Sequence, residues 1–500
     1  MAVALQYRTL VWLGIFVLVA IRLAVAAAAP LAFDEAYYWL WSKNLAGGYY
    51  DHPPAIAGVI GLGTLALGDN ALGIRLIGVL LILPATWAVW RSGAILFRNE
   101  RLAATAALFF NLTLIVASGS VLATPDAVLL AASAFVLFFL AKLIETGHGR
   151  WWLAVGVAVG AALLSKYTAL FFGFSIMAWL LIVPRMRRWL LTPWPYLGGL
   201  VAFAMFLPVI LWNANHGWVS FLKQFGRSAL SDWQPLFLPE HILVQLGLAT
   251  PPIFVLGAMG LASFLKERGR GRSARVLLGA LVWPLTLYFV WFALHARVEG
   301  NWTAPVFPAL AVVAAAAAHG IGWTGIWATL AHLCDRLAAP VALIMAAAVY
   351  LQALFGIIPL GAIDPTARQL GAGWRALGAE IETLRQQNGA RTVVTTSYTL
   401  TSWLAFYLPS RPPVVQINER IRWVNAPPPD PAQFFGVSLY VCQTECNELA
   451  VVRARYSTVR EVARLTRKRR GVEIDSYQVY RVENLRGDPL DRTPPPELRR

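Results

Sequence analysis

The sequence predicts an α-helical polytopic membrane protein that carries a small soluble α/β domain at its C-terminus. Of its 500 residues 58% are hydrophobic and only 14% are charged, whereas a soluble protein carries about a quarter charged residues. Apolar runs long enough to cross a bilayer recur along the chain, with short basic segments between them. From about Asp364 onward the composition becomes that of a soluble domain.

The apolar runs predict about eleven membrane spans. These spans are residues 9–29, 74–97, 102–118, 126–143, 151–165, 167–184, 195–212, 242–265, 276–294, 303–319 and 338–359. The segment Ala55–Leu67 is apolar but short and rich in glycine, which favours a helix at the membrane interface. We expect residues 1–360 to form the membrane domain, with a first outward loop at 30–56.

Alternate connections between the spans are rich in Lys and Arg, which indicates that they face the cytoplasm. The basic residues in question are Arg98, Arg101, Lys142, Arg150, Arg185, Arg187, Arg188, Lys266, Arg268, Arg270, Arg272 and Arg275. This pattern predicts a cytoplasmic N-terminus on an uncleaved first span. It also accounts for much of the net charge of +16, so we expect no nucleic-acid partner.

The first outward loop begins with two adjacent acids, Asp34 and Glu35, directly after a bilayer-length apolar run. Acids at this position are unfavourable unless they have a partner or a function. We expect a helix over residues 36–45, lying on the membrane with Asp34 at its N-terminus. Neighbouring helical side chains point about 100° apart, so one acid can act as a general base while the other orients the substrate. A plain helix cap is the alternative.

Further unusual polar residues fall in the outward connections. Asp51 and His52 precede two prolines, with Tyr50 before them. His52 can hold a phosphate or help Asp51 to bind a metal ion, and Asp51 and Tyr50 can bind substrate. A turn with a solvated Asp is the alternative. Asp126 follows Thr124-Pro125 and is either a substrate ligand or a charge stabilising a helix N-terminus. Lys166 can hold a phosphate or simply extend to the membrane surface. Tyr167, which follows it, is expected to bind substrate.

The last of these connections contains Arg297, Glu299, Asn301 and Trp302. Glu299 can bind substrate, or Arg297 and Glu299 can simply pair with each other. Asn301 and Trp302 can contact a sugar ring or belong to an interfacial aromatic belt. No spacing of ligands here demands a metal ion, although a divalent ion stays open.

Four motifs together resemble the GT-C glycosyltransferases, in particular the dolichyl-phosphate-mannose-protein mannosyltransferase and aminoarabinose-transferase-like group. They are Asp34-Glu35-Ala36-Tyr37-Tyr38, Asp51-His52-Pro53-Pro54, Thr124-Pro125-Asp126 and Ser165-Lys166-Tyr167-Thr168. The resemblance covers Met1 to about Leu360.

The resemblance implies an inverting transfer of a sugar from a polyprenyl-phosphate-linked donor to a lipid, glycan or protein acceptor. The reaction is expected on the extracytoplasmic side of a bacterial plasma membrane, with Asp34 and Glu35 catalytic and Asp34 as the base. Basic groups would hold the departing phosphate, namely Lys166, His52 and Arg297. Several relatives have Lys where this chain has His52.

We expect residues 361–485 to form a small extracytoplasmic α/β domain. We expect strands at 391–396, 414–417, 439–441 and 477–480, helices at 400–407 and 458–470, and a disordered tail at 486–500. Cys442 and Cys446 are spaced for a disulfide in an oxidising compartment, and two free thiols fit equally well.

Two other classes of function compete with an enzyme. In a secondary transporter or lipid flippase, acids and Lys in the membrane bind ions, but such proteins often show inverted repeats and mid-membrane sites. The sequence has no convincing repeat. A membrane scaffold with a partner-binding C-terminal domain would leave Asp34 and Glu35 unexplained.

Overall fold

The computed structural model describes residues 2–226, 232–264 and 271–494, with side chains from Gln6 onward. The helices from the N-terminus to the end of the last span are α1 Ala2–Ala28, α2 Phe33–Ser42, α3 Ala55–Leu67, α4 Ala71–Leu80, α5 Ile82–Phe97, α6 Glu100–Leu112, α7 Leu114–Gly119, α8 Pro125–Thr146, α9 Trp151–Leu163, α10 Phe171–Ile182, α11 Pro184–Arg187, α12 Trp194–Asn215, α13 Val219–Gly226, α14 Phe237–Leu248, α15 Pro251–Phe264, α16 Arg272–Phe292, α17 Phe307–His319 and α18 Gly325–Phe355. The C-terminal domain adds α19 Pro365–Gln369, α20 Trp374–Gln387, α21 Tyr398–Tyr407 and α22 Leu449–Arg455.

Seven helical segments of the described chain are long and apolar enough to cross a bilayer, or nine if each of two bent helix pairs forms one span. The seven are Gln6–Ala28, Ala71–Phe97, Pro125–Thr146, Trp194–Asn215, Arg272–Phe292, Gly300–His319 and Gly325–Phe355. The bent pairs are Tyr167–Ile182 with Pro184–Leu191 and Phe237–Leu248 with Pro251–Phe264. The polytopic architecture is therefore confirmed.

The count of eleven spans is not reproduced by helix length. The predicted span 102–118 breaks at Thr113, whose backbone is extended between α6 and α7. The predicted span 151–165 is the 13-residue helix α9, shorter than the roughly 20 residues that a spanning helix needs. Hydropathy detects apolar runs but not the breaks that packing tolerates inside them.

The C-terminal domain contains a five-stranded mixed sheet in the order β2-β1-β3-β5-β4. The strands are β1 Thr392–Thr395, β2 Val414–Gln416, β3 Ser438–Gln443, β4 Tyr456–Arg469 and β5 Val472–Leu485. The first three run parallel to one another, and β5 pairs antiparallel with both β3 and β4. The predicted α/β class and the helix near 400–407 agree with this arrangement.

The helix predicted over 458–470 is wrong, because these residues form most of β4. Val459, Val462 and Leu465 recur every third residue and so imitate a helical face. Arg470 and Gly471 both have positive φ, 49° and 79°, and form the two-residue turn of a long hairpin with β5. Pairing with β5 across this turn overrides the helical spacing.

Cys442 on β3 is joined by a disulfide to Cys446. Part of the predicted disordered tail is ordered, since the Asp491 backbone N–H donates to Ile417 O and Arg455 pairs with Asp491. Residues 495–500 of that tail lie outside the described residues, as do Lys266, Arg268 and Arg270 of the most basic connection.

The C-terminal domain and the first loop share a hydrophobic core. Ala36 of α2 is fully buried in a cluster with Trp374, Leu400 and Trp403 of the C-terminal domain. The backbone joins them as well, because Ala32 and Leu370 form an antiparallel bridge and the Gly371 N–H donates to Leu31 O at 2.7 Å. The C-terminal domain is therefore part of the structure that positions the first loop.

Candidate active site

Helix α2 begins at Phe33, three residues earlier than predicted, and ends at Ser42. This start puts Asp34 and Glu35 in the first helical turn, where carboxylates are favoured by the exposed N–H groups. Its aromatic face is buried, including Tyr37, Tyr38 and Trp39. The helix therefore lies between the membrane helices and the C-terminal domain.

Glu35 is fully buried in an ion pair with Arg75 of α4. Its two oxygens accept from Arg75 Nε at 2.7 Å and Nη2 at 2.6 Å, and also from the backbone N–H groups of Ala32 and Ala123 at 2.8 Å each. Four donors saturate a carboxylate. The structure therefore gives Glu35 a structural position instead of the catalytic one expected from the sequence.

Arg75 uses all five of its N–H donors, since it also donates to the carbonyls of Ala26, Ala29 and Pro30. These carbonyls lie at the end of α1 and just beyond it. The Glu35–Arg75 pair thus joins the first span, α2 and α4 into one unit. It fixes the position of the neighbouring Asp34.

Asp34 is partly buried and differs from Glu35 in its partners. Burial and the nearby Asp51 carboxylate raise the pKa of Asp34 to about 7, against the opposing effects of Arg422 and of a hydrogen bond with Tyr398. A carboxylate with this pKa can accept a proton near neutral pH. Asp34 therefore has the protonation behaviour that a general base requires.

Asp51 joins three parts of the chain. Its Oδ1 accepts from Lys223 Nζ of α13 at 2.5 Å, and its Oδ2 accepts from Arg422 Nη1 at 2.7 Å and from the Tyr37 hydroxyl at 3.0 Å. Burial alone would raise the pKa of Asp51, but Arg422 and Lys223 lower it to about 2. Asp51 is therefore ionised at neutral pH.

The two cations on Asp51 also lie against aromatic rings. Lys223 Nζ is 3.8 Å from the centre of the Tyr50 ring, and the Arg422 guanidinium carbon is 5.0 Å from that centre and 4.3 Å from that of Tyr398. Such contacts add cation–π attraction. They fix Arg422 between the two domains.

A second charged cluster contains Asp126 of α8, Lys166 and Asn301. Lys166 Nζ donates to Asp126 Oδ1 at 2.8 Å, and Asn301 Nδ2 donates to Asp126 Oδ2 at 2.6 Å. The Lys166 and Asp126 side chains are only 8% and 6% exposed. Residues from three distant outward connections are thus brought together, as their common side of the membrane predicted.

His52 lies between the two clusters. Burial and the nearby Lys166 lower the pKa of His52 to about 4, although Asp51 and Asp126 act in the opposite direction. Among the described residues its buried Nδ1 has no hydrogen-bond partner. His52 is therefore neutral at neutral pH, whereas the sequence placed it among the basic groups expected to hold the departing phosphate.

Other predicted site residues lie in different surroundings. Tyr167 is a core residue that bonds Ser220 at 2.8 Å, and Trp302 packs on Phe289 and Phe292. Arg297 is 68% exposed and pairs with Glu240, so the suggested Arg297–Glu299 pair does not form. Glu299 is exposed.

Four residues of the site were absent from the sequence interpretation: Arg75, Lys223, Tyr398 and Arg422. Arg75 had a detectable signal, since an Arg inside a predicted span needs an acidic partner. Lys223, Tyr398 and Arg422 had none, because only the folded chain brings them to the first loop.

Among the described residues, no three His, Cys, Asp or Glu side chains are grouped so as to hold a metal ion. The paired side chains instead satisfy one another as ion pairs. The described site therefore adds no support for the divalent ion that the sequence left open.

Comparison with known proteins identifies the fold. The crystal structure of ArnT from Cupriavidus metallidurans bound to undecaprenyl phosphate aligns with a TM-score of 0.65 at 16% identity, covering 94% of this chain and 98% of that chain. The chain has the GT-C fold. The apo form of the same ArnT aligns with a TM-score of 0.63 at 17% identity, over 94% of this chain and 97% of that chain. The GT-C-like class predicted from the motifs is thereby confirmed.

Sequence comparison supports the same GT-C assignment. Residues 51–212 match the family model of dolichyl-phosphate-mannose-protein mannosyltransferase. The lipid A galacturonosyltransferase RgtD of Rhizobium johnstonii is 30% identical over 293 residues, which are 57% of this chain and 60% of that protein. The match thus spans less than two thirds of that relative. The resemblance carried by the four motifs is confirmed.

Proposed function

We propose that this GT-C protein is a membrane glycosyltransferase that moves a sugar from a polyprenyl-phosphate-linked donor to a lipid acceptor. The observation that carries the proposal is Asp34, a partly buried carboxylate with a pKa of about 7, beside a site lined by Lys223 and Arg422. A neutral-pH base next to cations suits transfer of a sugar away from a phosphate.

Asp34 takes the proton from the acceptor hydroxyl. The hydroxyl oxygen attacks the anomeric carbon, the bond from that carbon to the phosphate oxygen breaks, and polyprenyl phosphate leaves with the bonding electrons. Attack from the face opposite the phosphate inverts the anomeric configuration. A positioned base contributes roughly 10²–10⁴-fold to the rate of such a step.

The departing phosphate is stabilised by cations that the free protein holds in ion pairs. Lys166 is the first candidate, because it is buried beside Asp126 and close enough to His52 to affect its pKa. Arg297 is a weaker candidate, since it lies exposed against Glu240. Exchange of an internal partner for the phosphate keeps each cation paired throughout the reaction.

The relatives suggest the substrates. The ArnT structure contains undecaprenyl phosphate, which supports an undecaprenyl-phosphate-linked donor here. The similarity to a lipid A galacturonosyltransferase supports lipid A as the acceptor and a hexuronic acid as the sugar.

The reaction is assigned to the extracytoplasmic face of a bacterial inner membrane. The alternating basic connections and the Cys442–Cys446 disulfide, typical of oxidising compartments, support this side. A cysteine replacing exposed Arg464 should react with an impermeant maleimide in intact spheroplasts, and one replacing Arg185 only after permeabilisation. The opposite labelling pattern would reverse the orientation.

Mass spectrometry of lipid A tests the function. Cells lacking the protein should lose one sugar-sized mass increment, that of one hexuronate residue. Wild-type protein should restore the increment, and Asp34→Asn, produced at the same level in the membrane, should not. Unchanged lipid A after deletion would refute the lipid A assignment, and full restoration by Asp34→Asn would refute the base assignment.

A further inference from the structure

A cavity of about 200 Å³ lies where the last span meets the C-terminal domain. Its wall combines the segment that follows α18, including Ile357 and Ile358, with Ala367 and with Arg469 and Arg470 at the turn of the β4–β5 hairpin. This cavity is distinct from the charged clusters around Asp34 and Asp126. None of its lining residues belongs to the proposed transfer reaction.

Arg469 is held in place with one nitrogen unsatisfied. Its Nη2 donates to Ala353 O at 2.6 Å, in the last turn of α18, while its buried Nη1 has no hydrogen-bond partner among the described residues. The nearest carboxylate oxygen, Asp364 Oδ2, is 3.6 Å from Nη1, which is too long for a hydrogen bond. A buried guanidinium nitrogen without an acceptor is unfavourable.

Asp364 is not free to serve as that acceptor. Its Oδ2 accepts from Gln352 at 2.7 Å, and its Oδ1 accepts from the backbone and hydroxyl of Thr366 at 2.9 and 2.8 Å. Arg470 lines the same cavity and is exposed. Two cations against one satisfied carboxylate leave the cavity with a net positive charge.

Two apolar residues that line the cavity are exposed. Ile357 and Ile358 are 50% and 55% exposed, and nearby Ile363 is 77% exposed. They continue the exposed apolar surface of α18, where Ile344 is 68% and Phe355 is 48% exposed. In a span this surface faces lipid, so the cavity opens where acyl chains meet headgroups.

We propose that this cavity binds the phosphate of an anionic phospholipid headgroup. The phosphate oxygens accept from the guanidinium groups of Arg469 and Arg470, both of which line the cavity, and the acyl chains lie along Ile357 and Ile358. Guanidinium groups suit phosphate because they present parallel N–H donors. The bound lipid would join α18 to the hairpin of the C-terminal domain.

Native mass spectrometry of the full-length protein tests the site, with phosphatidylglycerol titrated into the detergent solution. Arg469→Ala and Arg470→Ala should each weaken binding about fivefold, because one arginine near an anionic lipid surface contributes an attraction of that size. Arg464→Ala is the matched control and should bind as the wild type does. Arg464 lies on β4 with Arg469, but its side chain is 68% exposed and pairs with Glu461. Phosphatidylcholine should bind more weakly than phosphatidylglycerol.

Further variants separate binding from folding. Arg469→Ala also removes the hydrogen bond to Ala353 O, so this variant can unfold. In that case Arg470→Ala and Ile358→Ser test the site, and both should lower its occupancy by phosphatidylglycerol. Wild-type binding by those two variants would overturn the proposal. Equal binding of phosphatidylcholine, or displacement of the lipid by millimolar inorganic phosphate, would also overturn it.

Discussion

At the scale of single residues, Asp34 and Glu35 are neighbours with opposite surroundings. Their side chains leave α2 about 100° apart, so Glu35 enters the interior and meets Arg75, while Asp34 stays partly buried near Tyr398 and Asp51. Four donors occupy the lone pairs of Glu35 in the folded chain. The lack of such saturation leaves Asp34 able to take up a proton.

The pH dependence of transfer should report the ionisation of Asp34. Because its pKa is raised to about 7, Asp34 is protonated below that pH, and kcat/KM should fall about tenfold for each pH unit below it. Above pH 7 the rate should level off. The measurement is transfer of labelled sugar from a polyprenyl-phosphate donor between pH 5 and 9.

The same raised pKa predicts that stability falls with rising pH, whereas activity rises. Between pH about 4 and about 7 the folded protein keeps a proton on Asp34 that the unfolded chain has released. The free energy of unfolding therefore decreases as the pH rises through this range. Asp34→Asn should therefore match the wild type in thermal stability at pH 4 and exceed it at pH 8. Lower stability of Asp34→Asn at pH 8 would contradict the desolvated carboxylate.

Glu35→Gln should destabilise the protein strongly. It leaves the buried Arg75 charge uncompensated, which costs roughly 3–5 kcal/mol, and thermal unfolding in detergent measures the loss. Glu461→Gln is the matched control, because Glu461 pairs with Arg464 at the surface and should change little. A stable but inactive Glu35→Gln protein would return Glu35 to the catalytic residues.

At the scale of elements, α2 depends on α21 of the C-terminal domain. The Leu31 N–H donates to the Tyr407 hydroxyl at 2.9 Å, and Trp403 Nε1 donates to Leu31 O at 3.0 Å. Trp39 packs edge-on against Phe406 at 5.3 Å. A helix of 10 residues is marginal by itself, so these contacts determine where Asp34 lies.

Tyr407→Phe should therefore reduce both stability and transfer. It leaves the Leu31 N–H without its partner, at a cost of about 1–3 kcal/mol, and loosens the entry to α2. Thermal unfolding and transfer rate measure the two effects. Tyr196→Phe, which removes an exposed hydroxyl contact to Leu190 O, should leave both unchanged. If the two variants behave alike, α21 does not position the loop.

At the scale of the whole molecule, the C-terminal domain completes the site through Arg422. This residue lies 371 positions from Asp51 in sequence, yet the two side chains are bonded. Its positive charge also opposes the rise in the pKa of Asp34 that burial and Asp51 cause. The chain thus uses its soluble domain to set the electrostatics of its first loop.

Arg422→Ala should move the acidic limb of the pH profile to higher pH, because a cation that favours ionised Asp34 is lost. Arg411→Ala is the matched control: Arg411 also links the C-terminal domain to the first-loop region, through Asp69, but is 50% exposed. It should leave the profile in place. Superimposable profiles for Arg422→Ala and the wild type would show that Arg422 only supports the fold.

Local patterns in the sequence were sufficient for part of this picture. The apolar runs identified a polytopic protein, and α3 has the predicted bounds Ala55–Leu67. Shared sidedness of the outward connections anticipated that Lys166, Asp126 and Asn301 would meet. Local pattern failed at β4, where spacing every third residue fitted a helix until pairing with β5 decided the conformation.

The sequence by itself determined the membrane class, the GT-C motifs and the acids of the first loop, because hydropathy and motif residues are properties of contiguous segments. Only the tertiary structure decided that Glu35 is neutralised by Arg75 while Asp34 is not, and that Lys223 and Arg422 converge on Asp51. The physical reason is that the pKa and the partners of a carboxylate depend on burial and on charges within a few ångströms. Those neighbours come from segments that lie far apart along the chain.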